Sequence, residues 1–362
     1  MTVVADAHEA HGATFETRSG RRVVAHYGRP ERTHLAVRNA VGVVEMGYGV
    51  VVVEGDDRVE FVDNAVSNRV PDDDGEGCYT FLLDPQGRIE TDIYVYNAGE
   101  RLLCFTPPER ADPLLNDWGE KVFIQDVELR DASADFGIFG VHGPNSTEKV
   151  ASVLNGAGAP EPELSFVRGS IGDAGVTVVA TDAPCGEEGY EVICAADAAE
   201  RVFDSLLTHG FNAVPFGYRT WETLTTEAGT PLFEEELRGR LPNVAGARNG
   251  LDFEKGCFVG QEVVSKVENR GRPSERLVGL RPEQLPEPGD SVAVDGDDVG
   301  EVTRAVVSPS LDAPIALAAI DYGTAATDLS VRVDGASVAA ERVDLPFVEG
   351  SARSARLPTY SE

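Results

Sequence analysis

The sequence predicts an α+β protein of two or three packed domains, the last of them a small all-β barrel or sandwich. Three observations carry this reading. The chain has 362 residues, more than one simple core accommodates. Up to residue 272, stretches with helical spacing are interspersed with alternating, strand-like ones. From residue 277 to about 345 the chain is Val- and Gly-rich, with short strands broken at Pro288-Gly289-Asp290 and Asp295-Gly296-Asp297-Asp298.

The elements follow in order. Residues 49–54 read as a Val-rich strand, and Asp56 or Asp57 is a natural N-cap for the helical pattern through Phe61 and Val62. Residues 79–83 and 89–96 form a hairpin about Asp84-Pro85-Gln86-Gly87, where Pro and Gly bracket the turn. A strand and loop at 136–144 lead into a helix from Ser146 to about Leu154. The Gly/Ala/Pro-rich stretch 155–163 reads as a linker. A strand pair surrounds residues 186–194, and 198–209 is an amphipathic helix with Val202, Phe203, Leu206 and Leu207 on one face. Arg270-Gly271-Arg272-Pro273 marks a second boundary. The expected division is 1–154, 155–272, a barrel at 273–348, and a loosely ordered tail at 349–362.

Charge narrows the partners. Against 62 acidic residues stand 31 basic ones, a net charge of −31, and lysine occurs only at positions 121, 149, 255 and 266. Such a surface repels nucleic acid and anionic membranes, and its scattered carboxylates suit a halophile. The N-terminus has no basic or apolar leader region, and no apolar run approaches the ~20 residues of a membrane span. Five widely spaced cysteines contain no CxxC pair, so a reducing, cytoplasmic setting is expected. The six histidines lack metal-binding spacing, so no metal is expected, and no phosphate-binding glycine loop is present.

Residues 255–262, Lys-Gly-Cys-Phe-Val-Gly-Gln-Glu, concentrate chemistry. Gly256 and Gly260 frame Cys257 where the backbone can turn tightly. Lys255 carries a positive charge that would favour the thiolate, and Gln261 and Glu262 add an amide and a carboxylate. Chemistry alone leaves both a reactive thiol and an inert, packed cysteine open. In the hairpin, alternation puts Asp92 on the face of Glu90 and Tyr94, opposite Ile89, Thr91 and Ile93.

The octapeptide resembles the KGC[YF]xGQE signature of YgfZ-type folate-binding proteins, and Asn249-Gly250-Leu251-Asp252-Phe253 before it fits as well. His11-Gly12-Ala13, residues 34–42 (His-Leu-Ala-Val-Arg-Asn-Ala-Val-Gly), Phe139-Gly140-Val141-His142-Gly143-Pro144 and Glu227-Ala228-Gly229 resemble landmarks of the glycine-cleavage T proteins, which are aminomethyltransferases. The resemblance implies a three-domain ring with tetrahydrofolate, or a related reduced pterin, in its central opening. It implies that Asp92 lies near the reactive folate nitrogens. It also implies that Glu191, with Glu187 as neighbouring alternative, contacts the pterin ring, and that Arg219 belongs to the same pocket.

Two departures stand out: Pro184-Cys185 replace the usual Tyr-Thr before Gly186, and residues 103–106 contain no asparagine. The leading expectation is therefore a tetrahydrofolate-binding protein that supports maturation or repair of iron–sulfur client enzymes through Cys257. The alternative is an aminomethyltransferase taking a one-carbon unit from a lipoyl H protein. A third reading is a folate-binding scaffold or sensor without chemistry.

Overall fold

The computed structural model describes residues 2–360; Met1 and the tail residues Ser361 and Glu362 lie outside the described residues. Among the described residues are a two-stranded hairpin, a five-stranded sheet, a seven-stranded sheet and a closed six-stranded barrel. The α+β class and the C-terminal barrel expected from the sequence are both present.

The five-stranded sheet is antiparallel throughout, in the order Gly77–Leu83, Ile89–Asn97, Arg101–Thr106, Gly49–Glu54, Glu128–Asp131. Its outer face packs Val51, Val53, Ile93 and Val95 against Phe61, Val62, Leu114 and Trp118 of the helices Arg58–Ala65 and Ala111–Lys121. The inner face, with Val50, Val52, Tyr94, Tyr96 and Phe105, is buried as well, against the rest of the molecule. Burial on both faces explains the uninterrupted valine run, since neither face needs polar residues. Asp57 does precede the helix Arg58–Ala65, but its carboxylate accepts from the Asp126 N–H at 2.8 Å and does not cap that helix.

The seven-stranded sheet runs Leu154–Asn155, Phe166–Ile171, Ala174–Ala180, Gly189–Ala195, Phe136–His142, Gly42–Glu45, Val214–Pro215. The stretch 155–163, expected as a linker, is a loop joining the first two of these strands, which pair directly. Strands from both sides of that loop share one sheet, so the core does not divide there. The helices Ser146–Val153 and Ala199–Thr208 cover the outer face, the latter through the expected Val202, Phe203, Leu206 and Leu207 stripe.

In the barrel, Leu280, Val292, Val302, Ala316, Ile320 and Val331 fill the interior. It docks on the helix Tyr218–Glu227 through buried charge. Arg304 donates to Thr225 Oγ1 at 3.1 Å and to the Thr230 carbonyl at 2.6 Å, and pairs with Glu236 at 3.2 Å. From the N-terminal side, His34 Nε2 and Arg38 Nε each lie 3.0 Å from Glu227 Oε2. Each charge is therefore compensated, as burial demands.

The tail corrects the sequence reading most clearly. Residues 351–360 run back across the molecule, tied at each step. The Ser351 N–H and hydroxyl donate to Glu187 at 2.9 and 2.6 Å, the Ala355 N–H to the Asp182 carbonyl at 3.0 Å, and Tyr360 Oη to the Val244 carbonyl at 3.0 Å. Ser354, Arg356 and Leu357 are buried.

Candidate functional site

A cavity of about 340 Å³ opens where the inner face of the five-stranded sheet meets the helix Tyr218–Glu227, the turn Phe233–Leu237 and the tail. Asp92, Tyr94 and Arg356 are buried and form its floor; Met46, Tyr48, Phe105, Trp221 and Phe233 give it an apolar, largely aromatic wall.

The floor is a chain of paired polar groups. Tyr79 Oη donates to Asp92 Oδ2 at 2.8 Å, and Tyr94 Oη donates to Asp182 Oδ1 at 2.9 Å. Arg356 Nε sits 2.8 Å from Asp182 Oδ2, and its guanidinium lies over the rings of Tyr79 and Tyr94 at 5.2 and 5.8 Å. Burial pushes the Asp92 carboxyl above the usual carboxylate range, although Arg356 and the Tyr79 hydroxyl pull the other way. The same burial holds Tyr79 and Tyr94 far above their ordinary values, so both stay neutral donors. A carboxyl group in this setting is suited to exchanging a proton with a ligand.

Strand alternation explains how Asp92 arrives here. It shares a face with Tyr94, as expected, but that face is the interior: Asp92 is 8% exposed. A neighbouring pair stands behind the wall. Tyr48 stacks on Phe105, ring centres 5.5 Å apart, and its hydroxyl donates to Glu191 Oε1 at 2.7 Å. Burial raises Glu191 to about 7. Glu191 thus reaches the cavity through Tyr48, which lines it.

The other expected residues lie elsewhere. Glu187 is committed to Arg38 at 2.8 Å and to Ser351, so it anchors the tail. Arg219 is exposed, 4.0 Å from Glu16, and borders a separate groove with His34 and Ser308. Cys257 and Glu262 are exposed and Gln261 half-buried at the start of the helix Gln261–Arg270; none of the three lines the cavity. Lys255 does not serve Cys257. Its ammonium is buried, donating to the carbonyls of Asp63, Val66 and Asn68 at 2.6, 3.0 and 2.9 Å, where it closes the C-terminal end of the helix Arg58–Ala65. Gly260 has a structural role: φ is +80°, and an added Cβ would lie 2.6 Å from the Asp84 carbonyl oxygen. The signature segment therefore packs against the turn of the Asp92 hairpin. Gly256 has open space around it.

Sequence reasoning missed Tyr48, Asp182 and Arg356. Tyr94 could have been included, since it was already placed on the face of Asp92. Among the described residues, no group of three or more His, Cys, Asp or Glu is placed to hold a metal ion. The arrangement suits a flat heteroaromatic ligand held between aromatic rings, with a carboxyl and a guanidinium group at one edge.

Comparison with known proteins agrees with this architecture. Residues 4–251 match the GCVT N-terminal domain, and residues 275–349 match the glycine cleavage T-protein C-terminal barrel domain. An aminomethyltransferase of Streptomyces coelicolor is 32% identical, covering 96% of each chain. A probable aminomethyltransferase of Halobacterium salinarum is 29% identical over 94% of this chain and 97% of its own. The crystal structure of glycine cleavage system aminomethyltransferase T from Bartonella henselae superposes with a TM-score of 0.86 at 22% identity, covering 97% and 98% of the two chains. That likeness establishes the fold.

Proposed function

The chain belongs to the glycine cleavage T-protein family, and on that premise we propose that it is an aminomethyltransferase acting on tetrahydrofolate in the central cavity. The one-carbon unit would arrive as an aminomethyl group on the lipoyl arm of an H protein and leave as methylenetetrahydrofolate, with release of ammonia. The observation that carries this reading is the buried Asp92 on the floor of an aromatic cavity, hydrogen-bonded by Tyr79 and facing Arg356.

Tetrahydrofolate, when bound, supplies the amine that accepts the one-carbon unit. The protein supplies the surroundings. Phe105, Trp221 and Tyr94 hold a flat ring and exclude water. Asp92, with its raised pKa, exchanges a proton at Oδ1 while Tyr79 fixes Oδ2. Tyr48, oriented by Glu191, presents its ring to the ligand. The residues fit the group: aromatic side chains wall the cavity, and the buried Asp92 carboxyl, raised by burial, lies on its floor.

The test supplies aminomethylated lipoyl H protein and tetrahydrofolate in molar salt, where a surface of charge −31 is screened. Methylenetetrahydrofolate should form, and Asp92→Asn should slow it by about 10²-fold or more while tetrahydrofolate affinity changes only a few-fold. No product above background eliminates the activity.

A second reading rests on a different observation: Cys257 is exposed within Lys-Gly-Cys-Phe-Val-Gly-Gln-Glu. It makes the chain a YgfZ-type, tetrahydrofolate-binding helper of iron–sulfur client enzymes in a halophilic cytoplasm. There, Cys257→Ala would abolish support of a client enzyme in cells while leaving transfer in the purified assay intact. Unchanged client activity would sink it.

A further inference from the structure

Asp182 does not line the cavity, yet it is tied to the residues that do. Its Oδ1 accepts from the Tyr94 hydroxyl at 2.9 Å, its Oδ2 makes the 2.8 Å ion pair with Arg356 Nε, and its carbonyl accepts the Ala355 N–H at 3.0 Å. The side chain is buried, where solvent screens such a pair only weakly. The backbone bends sharply to put it there. Ala183, the next residue, has φ of +52°, a left-handed conformation that residues other than glycine avoid. The same loop carries Pro184-Cys185, one of the two departures noted in the sequence.

Arg356 faces two aspartates and pairs with one. Its guanidinium lies over the rings of both Tyr79 and Tyr94, and those tyrosines donate to Asp92 and Asp182 respectively. One cation is thus shared by two tyrosine–aspartate pairs. Among the described residues, its ion pair goes to Asp182, and Asp92 is left with the neutral Tyr79 hydroxyl. Glu163 and Glu191 stand within electrostatic reach of Asp182 and Arg356, and the cavity lining adds Arg18, Tyr218, Glu234 and Glu235. None of these carboxylates takes Arg356 from Asp182.

Deepening the aminomethyltransferase reading, on which it rests, we propose that Asp182 is a positioning residue for one-carbon transfer. By holding the Arg356 guanidinium it keeps that cation from pairing with Asp92, and so leaves the Asp92 carboxyl able to hold a proton. A guanidinium in contact with Asp92 would favour its ionised form, whereas the negative charge of Asp182 acts in the opposite sense. Loss of the Asp182 charge therefore lowers Asp92 in two ways: directly, and by releasing Arg356. Only the second is positioning, and it requires Arg356.

Carbon-13 NMR of the aspartate carboxyl groups, on the ligand-free protein in molar salt, separates the two. The resonance missing from Asp92→Asn identifies Asp92. In the wild type its midpoint should lie above that of an ordinary aspartate. Asp182→Asn should lower it by about one pH unit or more. In an Arg356→Met background the same substitution removes only a bare charge, and the fall should be less than half as large. In the transfer assay, Asp182→Asn should move the pH limb governed by Asp92 in the same direction, with the KM for tetrahydrofolate little changed.

A wild-type midpoint in the ordinary aspartate range overturns the proposal. So does a midpoint indifferent to Asp182→Asn, or a fall of equal size in the Arg356→Met background. Should Asp182→Asn fold poorly, Asp182→Ser, which leaves room for water beside Arg356, takes its place. The wild-type midpoint needs no variant, so misfolding does not shield the proposal. If the wild-type protein shows no transfer, the functional reading falls; if it shows transfer while Asp92 ignores Asp182, only this inference falls.

Discussion

Arg356 Nε and Asp182 Oδ2 meet 2.8 Å apart beneath the cavity, joining the tail to the loop between two strands of the seven-stranded sheet. Both side chains are almost fully buried, at 6% and 1% exposure. Arg356→Met would leave Asp182 with only the Tyr94 hydroxyl, an uncompensated buried charge, and should cost about 3–5 kcal/mol. Pairing it with Asp182→Asn removes that charge. The double variant should lose at least ~1 kcal/mol less than the two single losses combined, measured by urea unfolding in molar salt.

The pH dependence of stability has two opposing contributions. His142 is fully buried with neither ring nitrogen hydrogen-bonded, and burial lowers it to about 3. The unfolded chain takes up that proton near pH 6.5 and the folded one does not, so stability falls as pH drops below 6.5, by about 2 kcal/mol at pH 5. Glu191, raised to about 7, does the reverse: the unfolded chain releases its proton near 4.5, and stability declines as pH rises from there to 7. Relative to wild type, His142→Gln should therefore gain stability as pH falls from 7 to 5, and Glu191→Gln as pH rises over the same window. Parallel unfolding curves at pH 5 and pH 7 would refute both assignments.

Lys255 and Cys257, neighbours in one motif, should separate cleanly. Lys255→Met strips the donor from three buried or half-buried carbonyls and leaves Asp63 without its 3.1 Å partner, a loss of about 3 kcal/mol or more. Cys257→Ala, at an exposed position, should change unfolding free energy by less than ~0.5 kcal/mol.

The two glycines of that motif should differ as well. At Gly260 a methyl group would meet the Asp84 carbonyl oxygen and the Gly87 Cα at 2.6 and 2.8 Å, with φ at +80°. Backbone cannot yield as a flexible side chain can, so Gly260→Ala should destabilise by about 2–3 kcal/mol. Gly256→Ala meets nothing within 4 Å and should be nearly neutral. Thermal melts of both variants decide this.

Local pattern made much of the fold legible. The valine run, the Asp84–Gly87 turn, the 199–208 stripe and the barrel's short strands each carry their signal within a few residues. Asp92 was found because its face can be counted along one strand. The destination of that face could not be counted, since what covers it comes from the distant residues Trp221, Phe233 and Arg356. The linker expected at 155–163 failed for a related reason: Gly, Ala and Pro specify a turn, and a turn within a sheet looks like one between domains. Lys255 was misread because charge was weighed along the chain, whereas its ammonium reaches the carbonyls at 63, 66 and 68. Arg356 had no local signal at all, lying among small and polar residues in a segment without periodicity.

The returning tail also constrains when binding competence appears during synthesis. Asp92 and its hairpin leave the ribosome some 260 residues before Arg356, and the floor needs both. A nascent chain, or a fragment cut short of that arginine, can form the five-stranded sheet and still present no finished pocket. Ligand therefore adds its binding free energy only to molecules whose distant ends have already found each other.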